Sequence, residues 1–121
     1  MKTILLAEDD PFIIDIYATQ FKRQGFSVDV AGDGQMALEK ARSNYPDVLV
    51  LDIMLPKMDG WEVLKHLRSD AKTKNIKVVV ISNLNQRDYA DKIANFGVIK
   101  YFLKISTTPE EIVHTIKEIL R

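Results

Sequence analysis

A chain of 121 residues with 46% hydrophobic side chains is long enough for one compact domain and apolar enough to bury a core, so residues 1–121 are expected to fold as a single unit. Its 17 Lys and Arg balance 17 Asp and Glu, which excludes the global field that gathers nucleic acid or an anionic membrane surface; neither is expected as a direct partner. The absence of cysteine excludes disulfide frameworks and thiol chemistry. With no apolar run of membrane-spanning length and no leader after Met1-Lys2, the expected compartment is the cytoplasm.

Along the chain, short runs rich in Val and Ile alternate with longer stretches of helical periodicity. Residues 3–7 read as a first strand, and Asp10-Pro11 sets an N-cap acid before a first-turn proline to open a helix over 11–24. A strand over 27–31 and a helix over 35–44 follow, then the unbroken run "DVLVL" as a third strand over 47–51. After the turn from Pro56 to Gly60 comes a helix over 61–69, with Met58 and Trp61 expected to pack against it. The stretch "SDAKTKNIK", with Lys72, Lys74 and Lys77, reads as a solvated connection to a strand over 77–81. A helix over 86–96 and a strand over 100–103 come next. Thr108-Pro109-Glu110-Glu111 predicts a capping box, Thr108 and Glu111 each satisfying a free amide, for a last helix over 109–120. Its Ile112, Val113, Ile116, Ile119 and Leu120 form an inward stripe opposite Lys117, Glu118 and Arg121. No repeat or linker interrupts the pattern. Because the chain starts at its first strand and stops with its last helix, a stand-alone protein is expected.

Strands apolar on both faces are parallel and covered by helices on each side. The commonest small arrangement of five such strands is the flavodoxin-like (βα)5 three-layer α/β sandwich, order 2-1-3-4-5, in which ligands bind at the carboxyl edge between strands one and three. Strand one ends in "LLAEDDP", so Glu8, Asp9 and Asp10 reach that edge, and Asp52 arrives beside them from strand three. Acids also favour loops and helix starts, which accounts for Asp10 as an N-cap and could account for one other, but not for the set. Converging carboxylates cost stability unless a cation offsets them, and with few protein ligands and room for water Mg²⁺ suits the site better than caged Ca²⁺. Strands four and five deliver the Ser82 hydroxyl and the Lys104 ammonium to the same edge. A carboxylate nucleophile, a metal, a hydroxyl donor and a cation are what phosphoryl transfer to an aspartate requires.

The segments "ILLAEDDP", "DVLVLDIMLPKMDGWEVL", "VVVISN" and "YFLK", in this order and spacing, resemble the receiver domain of two-component response regulators, over essentially the whole chain. The resemblance implies that Asp52 accepts a phosphoryl group from a histidine kinase, a phosphotransfer protein or a small phosphodonor. It implies that Asp9 binds Mg²⁺ directly, Glu8 mainly through water, and the Met54 carbonyl as a further ligand. Ser82 and Lys104 would contact the phosphoryl group, and Tyr101 stands at the aromatic position that turns inward on activation, although an amphipathic edge residue is a fair alternative reading. The face of the fourth helix, fifth strand and fifth helix, with Tyr89, Lys92, Lys100 and Tyr101, would meet a downstream protein or output domain, as a monomer or a weak phosphorylation-dependent dimer.

Two features depart from or refine that pattern. The family usually has a cis proline after the lysine. Here Ile105 follows Lys104, and since a non-proline cis bond costs about 2.5–4 kcal/mol, a trans peptide and a rebuilt loop are expected. Met54 and Leu84, each two residues beyond a site residue, are apolar and unable to orient water, so slow self-dephosphorylation is expected. His66 and His114 lack a ligand partner in the sequence and read as surface residues. The rival readings are a degenerate receiver that binds partners without phosphate, which the intact site residues oppose, and a Mg²⁺-dependent aspartyl-phosphate phosphatase. The latter would need an acid where Met54 stands and a substrate cap. The domain is therefore expected to catalyse its own modification only.

Overall fold

The computed structural model describes all residues from Met1 to Arg121. Five strands, β1 (Thr3–Ala7), β2 (Ser27–Ala31), β3 (Val48–Asp52), β4 (Lys77–Ser82) and β5 (Lys100–Leu103), form one parallel sheet of order β2-β1-β3-β4-β5, the flavodoxin-like order read from the pattern. The connecting helices are α1 (Pro11–Arg23), α2 (Gly34–Asn44), α3 (Gly60–Ser69), α4 (Ala90–Asn95) and α5 (Pro109–Ile119).

Strand alternation sorts the core into two layers. Leu5, Ala7, Leu49, Leu51, Val78 and Val80 pack with Ala37, Leu38 and Ala41 of α2 and with Val63, Leu64 and Leu67 of α3. The intervening Ile4, Leu6, Val48, Val50, Val79 and Ile81 pack with Tyr17 and Phe21 of α1 and with Ile112, Val113 and Ile116 of α5. Burial on both faces is why the middle strands read as unbroken apolar runs.

The structure moves several boundaries. β3 runs one residue later than expected and β4 one residue further, so Asp52 and Ser82 are the last residues of their strands rather than loop residues. The expected helix over 86–96 divides into a 3₁₀ turn, Gln86–Tyr89, and the short α4, neither of which buries a residue fully. Half-buried Ile93 and Phe96 alone anchor α4 on the core, too narrow a stripe to hold a longer helix. At α5 only half of the capping box forms: Thr108 Oγ1 accepts from the Glu111 N–H at 3.2 Å, while the Glu111 carboxylate makes no return bond. The stretch after α3 is more than a solvated connection. Thr73 is fully buried, its hydroxyl donating to the Leu67 carbonyl at 2.7 Å, and the Arg68 guanidinium donates to the carbonyls of Phe96, Lys74 and Ile76. Arg68 thereby ties the end of α4 to the start of β4. Met58 and Trp61 pack on the core, and His66 and His114 are exposed, as expected. No helix is long and apolar enough to cross a membrane.

Asp47 stitches the amino ends of β1 and β3, accepting from the Thr3 N–H at 2.7 Å and the Thr3 hydroxyl at 3.2 Å. The backbone bond, partly opposed by burial, holds its pKa below the ordinary carboxylate value. A depressed pKa stabilises the fold above the unfolded pKa of about 4, and this contribution is lost as the pH falls through the folded pKa. Asp47→Ala should cost about 1 kcal/mol at pH 7 and progressively less below pH 4, read by urea melts across that range.

Candidate functional site

The carboxyl edge gathers its charged groups because β1, β3, β4 and β5 all end there in polar residues: Glu8 and Asp9 follow β1, Asp52 ends β3, Ser82 ends β4, and Lys104 follows β5. Glu8 is fully buried. Its Oε2 accepts from the N–H groups of Asp9 at 2.9 Å and Asp10 at 3.2 Å, and its Oε1 lies 2.5 Å from Lys104 Nζ. Lys104 Nζ also donates to Asp52 Oδ2 at 2.8 Å, while Asp52 Oδ1 accepts from the Met54 N–H at 3.1 Å. Asp52 is 4% exposed, so little of it meets solvent. Asp9 is exposed, and one carboxylate oxygen from each of Glu8, Asp9 and Asp52 falls within 4.8 Å of the others. Asp10 stands apart as the cap of α1, accepting from the Phe12 N–H at 2.9 Å.

Burial is the largest influence on Glu8 and raises its pKa; the nearby Asp52 charge adds to this, and the hydrogen bond from Lys104 only partly offsets it. Burial also works against the Lys104 ammonium, yet its bonds to Asp52 and Glu8 outweigh that and leave its pKa above the usual lysine value. When ionised, the three carboxylates exceed the one ammonium by two negative charges. That deficit and the all-oxygen donor set fit a hard dication such as Mg²⁺. The Met54 carbonyl accepts no hydrogen bond and is free to serve as a donor. Glu8, with both oxygens engaged, can act on such an ion through its charge or through water.

Ser82 is fully buried, and its Oγ accepts from the Leu84 N–H at 3.1 Å. Tyr101 is inward rather than an edge residue: it is 7% exposed and its hydroxyl donates to the Leu84 carbonyl at 2.7 Å. Ser82 and Leu103 pair in the β4–β5 ladder, as do Val80 and Tyr101, so Ser82 and Tyr101 share a face of the sheet. The Met54 side chain is 63% exposed and Leu84 half-buried; with Asp9, Trp61 and Tyr89 they line a cleft of about 560 Å³ beside the acids.

Gly60 closes the loop that follows Asp52. Its N–H donates to the Ile53 carbonyl at 2.8 Å, and a Cβ there would lie 2.7 Å from Ile53 Cα and 2.9 Å from the Asp52 carbonyl oxygen, so only glycine allows the approach. Glu8, Asp9, Asp52 and Lys104 are thus brought together, Ser82 ends the neighbouring strand, Tyr101 bonds the loop beyond it, and Asp10 is the N-cap read from the sequence. Sequence reasoning missed the stack of Trp61 on Tyr89, with ring centroids 5.3 Å apart and Lys92 Nζ 5.5 Å from the Trp61 ring. Aromatic residues 28 positions apart carry no periodic signal that could have paired them. The Lys104-Ile105 peptide is trans, and Lys104–Ser106 forms a 3₁₀ turn, the rebuilt loop expected from the missing proline.

Parallel order, an acidic carboxyl edge and a lysine reaching across it define a receiver-type site. The model of the response regulator receiver domain matches residues 4–117, and the chain belongs to that family. It is 36% identical over 123 residues to the DNA-binding dual master transcriptional regulator RpaA of Synechocystis, covering 100% of this chain and 50% of that protein. It is 35% identical over 122 residues to the alkaline phosphatase synthesis transcriptional regulatory protein PhoP of Bacillus subtilis, covering 99% and 49%. The chain thus spans about half the length of these curated relatives. A CheY-like receiver domain protein from Methanospirillum hungatei superposes with a TM-score of 0.89 at 25% identity, over 99% of this chain and 94% of the other.

Lys104→Met would leave Glu8 and Asp52 facing each other without a cation. In EDTA it should lower unfolding free energy by about 2–3 kcal/mol, and added Mg²⁺ should narrow the gap between variant and parent; denaturant melts with and without Mg²⁺ measure both.

Proposed function

We propose that this domain is a phosphorylation-controlled switch of a two-component system, in which Asp52 accepts a phosphoryl group from a histidine kinase, a phosphotransfer protein or a small phosphodonor. The observation that carries this reading is the pairing of a nearly buried Asp52 with Lys104 at 2.8 Å, among carboxylates within 4.8 Å of one another. An Asp52 carboxylate oxygen attacks phosphorus, the bond to the donor's leaving group breaks, and that group departs with the bonding pair, as acetate when acetyl phosphate is the donor. Lys104, already oriented on Oδ2, neutralises the charge that the transferred oxygens bring. Mg²⁺ held by Asp9, Asp52 and the Met54 carbonyl would supply charge neutralisation of the same oxygens.

The phosphoryl group carries a charge of about −1.5 to −2 in place of the carboxylate's single charge, together with three acceptor oxygens, and these draw in movable donors. The Ser82 hydroxyl, at the end of the strand beside β3, is one such donor, and its bond from the Leu84 N–H links it to the loop whose Leu84 carbonyl holds Tyr101. A shift of Ser82 would thus reach α4, the least anchored helix, and change the face of α4, β5 and α5 presented to a partner or output domain. The domain would work in the cytoplasm and catalyse only its own phosphorylation and dephosphorylation.

With acetyl phosphate and Mg²⁺, the parent should gain the mass of one phosphoryl group and Asp52→Asn should not, by intact mass spectrometry. The apolar Met54 and Leu84 leave no side chain to orient an attacking water; Leu84→Glu should shorten the phosphoaspartate lifetime several-fold, followed by loss of that mass.

A further inference from the structure

The Ile105 N–H donates to the Asn83 side-chain Oδ1 at 3.1 Å. Asn83 directly follows Ser82, and Ile105 directly follows Lys104, so this bond joins the residues next to two site groups. The β4–β5 ladder ends at Ser82 paired with Leu103, and the bond lies just beyond that last pair, between the first residue after β4 and the second after β5. It continues the strand connection with a side chain where the backbone ladder has stopped.

Beyond β5 the chain turns at once into the 3₁₀ segment Lys104–Ser106, none of whose residues is fully buried. Ile105 itself is 80% exposed, so apolar packing does not hold the segment in place. The remaining ties, the Thr107 and Ser106 hydroxyls to the Leu103 carbonyl at 2.7 and 3.4 Å, stay within the loop. Apart from the Lys104 side chain itself, Asn83 supplies the hydrogen bond that connects the loop, through its backbone, to another strand end. Lys104 must send its ammonium from this loop to Asp52 and Glu8 on strands beyond β4, so a small rotation of the loop would be magnified at Nζ.

We propose that Asn83 is a positioning residue for Lys104: by accepting from the Ile105 N–H it locks the turn from which the Lys104 ammonium reaches Asp52, so that phosphoryl transfer depends on a side chain that touches neither donor nor metal. This rests on the reading of Asp52 as the phosphoacceptor. Misplacing a charge-neutralising group lowers the rate of the step without weakening ligands bound elsewhere. The loss belongs to the maximal rate, and neither Mg²⁺ affinity nor half-saturation by donor should follow it.

The test compares Asn83→Ala with Asn83→Asp, which keeps an acceptor oxygen at the same reach. Phosphorylation by acetyl phosphate is timed by intact mass over a range of donor concentrations, Mg²⁺ affinity is measured by calorimetry, and the Ile105 amide is followed by ¹H–¹⁵N spectra. In Asn83→Ala the maximal rate should fall about three- to tenfold, with Mg²⁺ affinity and donor half-saturation unchanged, and the Ile105 amide proton should move upfield. Asn83→Asp should restore the rate to within about twofold of the parent, together with the Ile105 shift. A parental rate in Asn83→Ala, an Asn83→Asp no faster than Asn83→Ala, or a loss that tracks melting temperature in both variants would overturn the assignment. Failure of the underlying reading has a separate signature, a phosphoryl mass gained by Asp52→Asn in the same assay.

Discussion

The contact on which the site depends is the Lys104 ammonium held between Asp52 and Glu8. Adjacent strands are about 4.8 Å apart, so β3 and β5, with β4 between them, lie about 10 Å apart, near the limit that two facing side chains can bridge. The pairing therefore requires the strand order seen here, strand ends level with one another, and a long flexible side chain at the end of β5. It also stabilises what the sheet would otherwise resist, two carboxylates brought together at a buried edge. The one ammonium does not balance the three carboxylates, and the remaining negative charge is what an added dication would offset.

The rest of the molecule divides into a rigid mount and a movable side. The two apolar layers bury β1, β3 and β4 completely apart from their ends, and α1, α2, α3 and α5 each contribute a buried stripe. The 3₁₀ turn and α4 bury nothing fully; besides half-buried Ile93 they are held at their ends, by Tyr89 stacked on Trp61 at one and by Phe96 bound to Arg68 at the other. A helix restrained mainly at its ends can shift without dismantling the core, and it adjoins the loop that carries Ser82 and Leu84. The stable part thus fixes the acids while the loosely held part is free to respond to them.

What could be read without coordinates had a periodic or adjacent origin. Runs such as Val48 to Leu51 announced buried parallel strands, the alternation of strands and helices announced the topology, and acids just beyond apolar runs announced the edge where they would meet. Thr73 reads as part of a polar connection, and Arg68 as an ordinary residue of the third helix, because their partners are backbone carbonyls, which leave no mark on side-chain composition. Glu111 was read as half of a capping box because the motif specifies residue types and not the side-chain conformation that closes the return bond.

By itself, the sequence determined the strands, their burial and which polar residues follow them, Glu8, Asp9, Asp52, Ser82 and Lys104 among these, since all of this follows from patterns local to each segment, and the strand order agrees with the commonest arrangement of such strands. Only the tertiary structure decided that Lys104 binds both Glu8 and Asp52, that Tyr101 turns inward to the Leu84 carbonyl, and that Asn83 reaches Ile105. Each of these is a contact between segments distant in the chain, whose geometry depends on side-chain rotation and loop path, and neither is encoded in spacing.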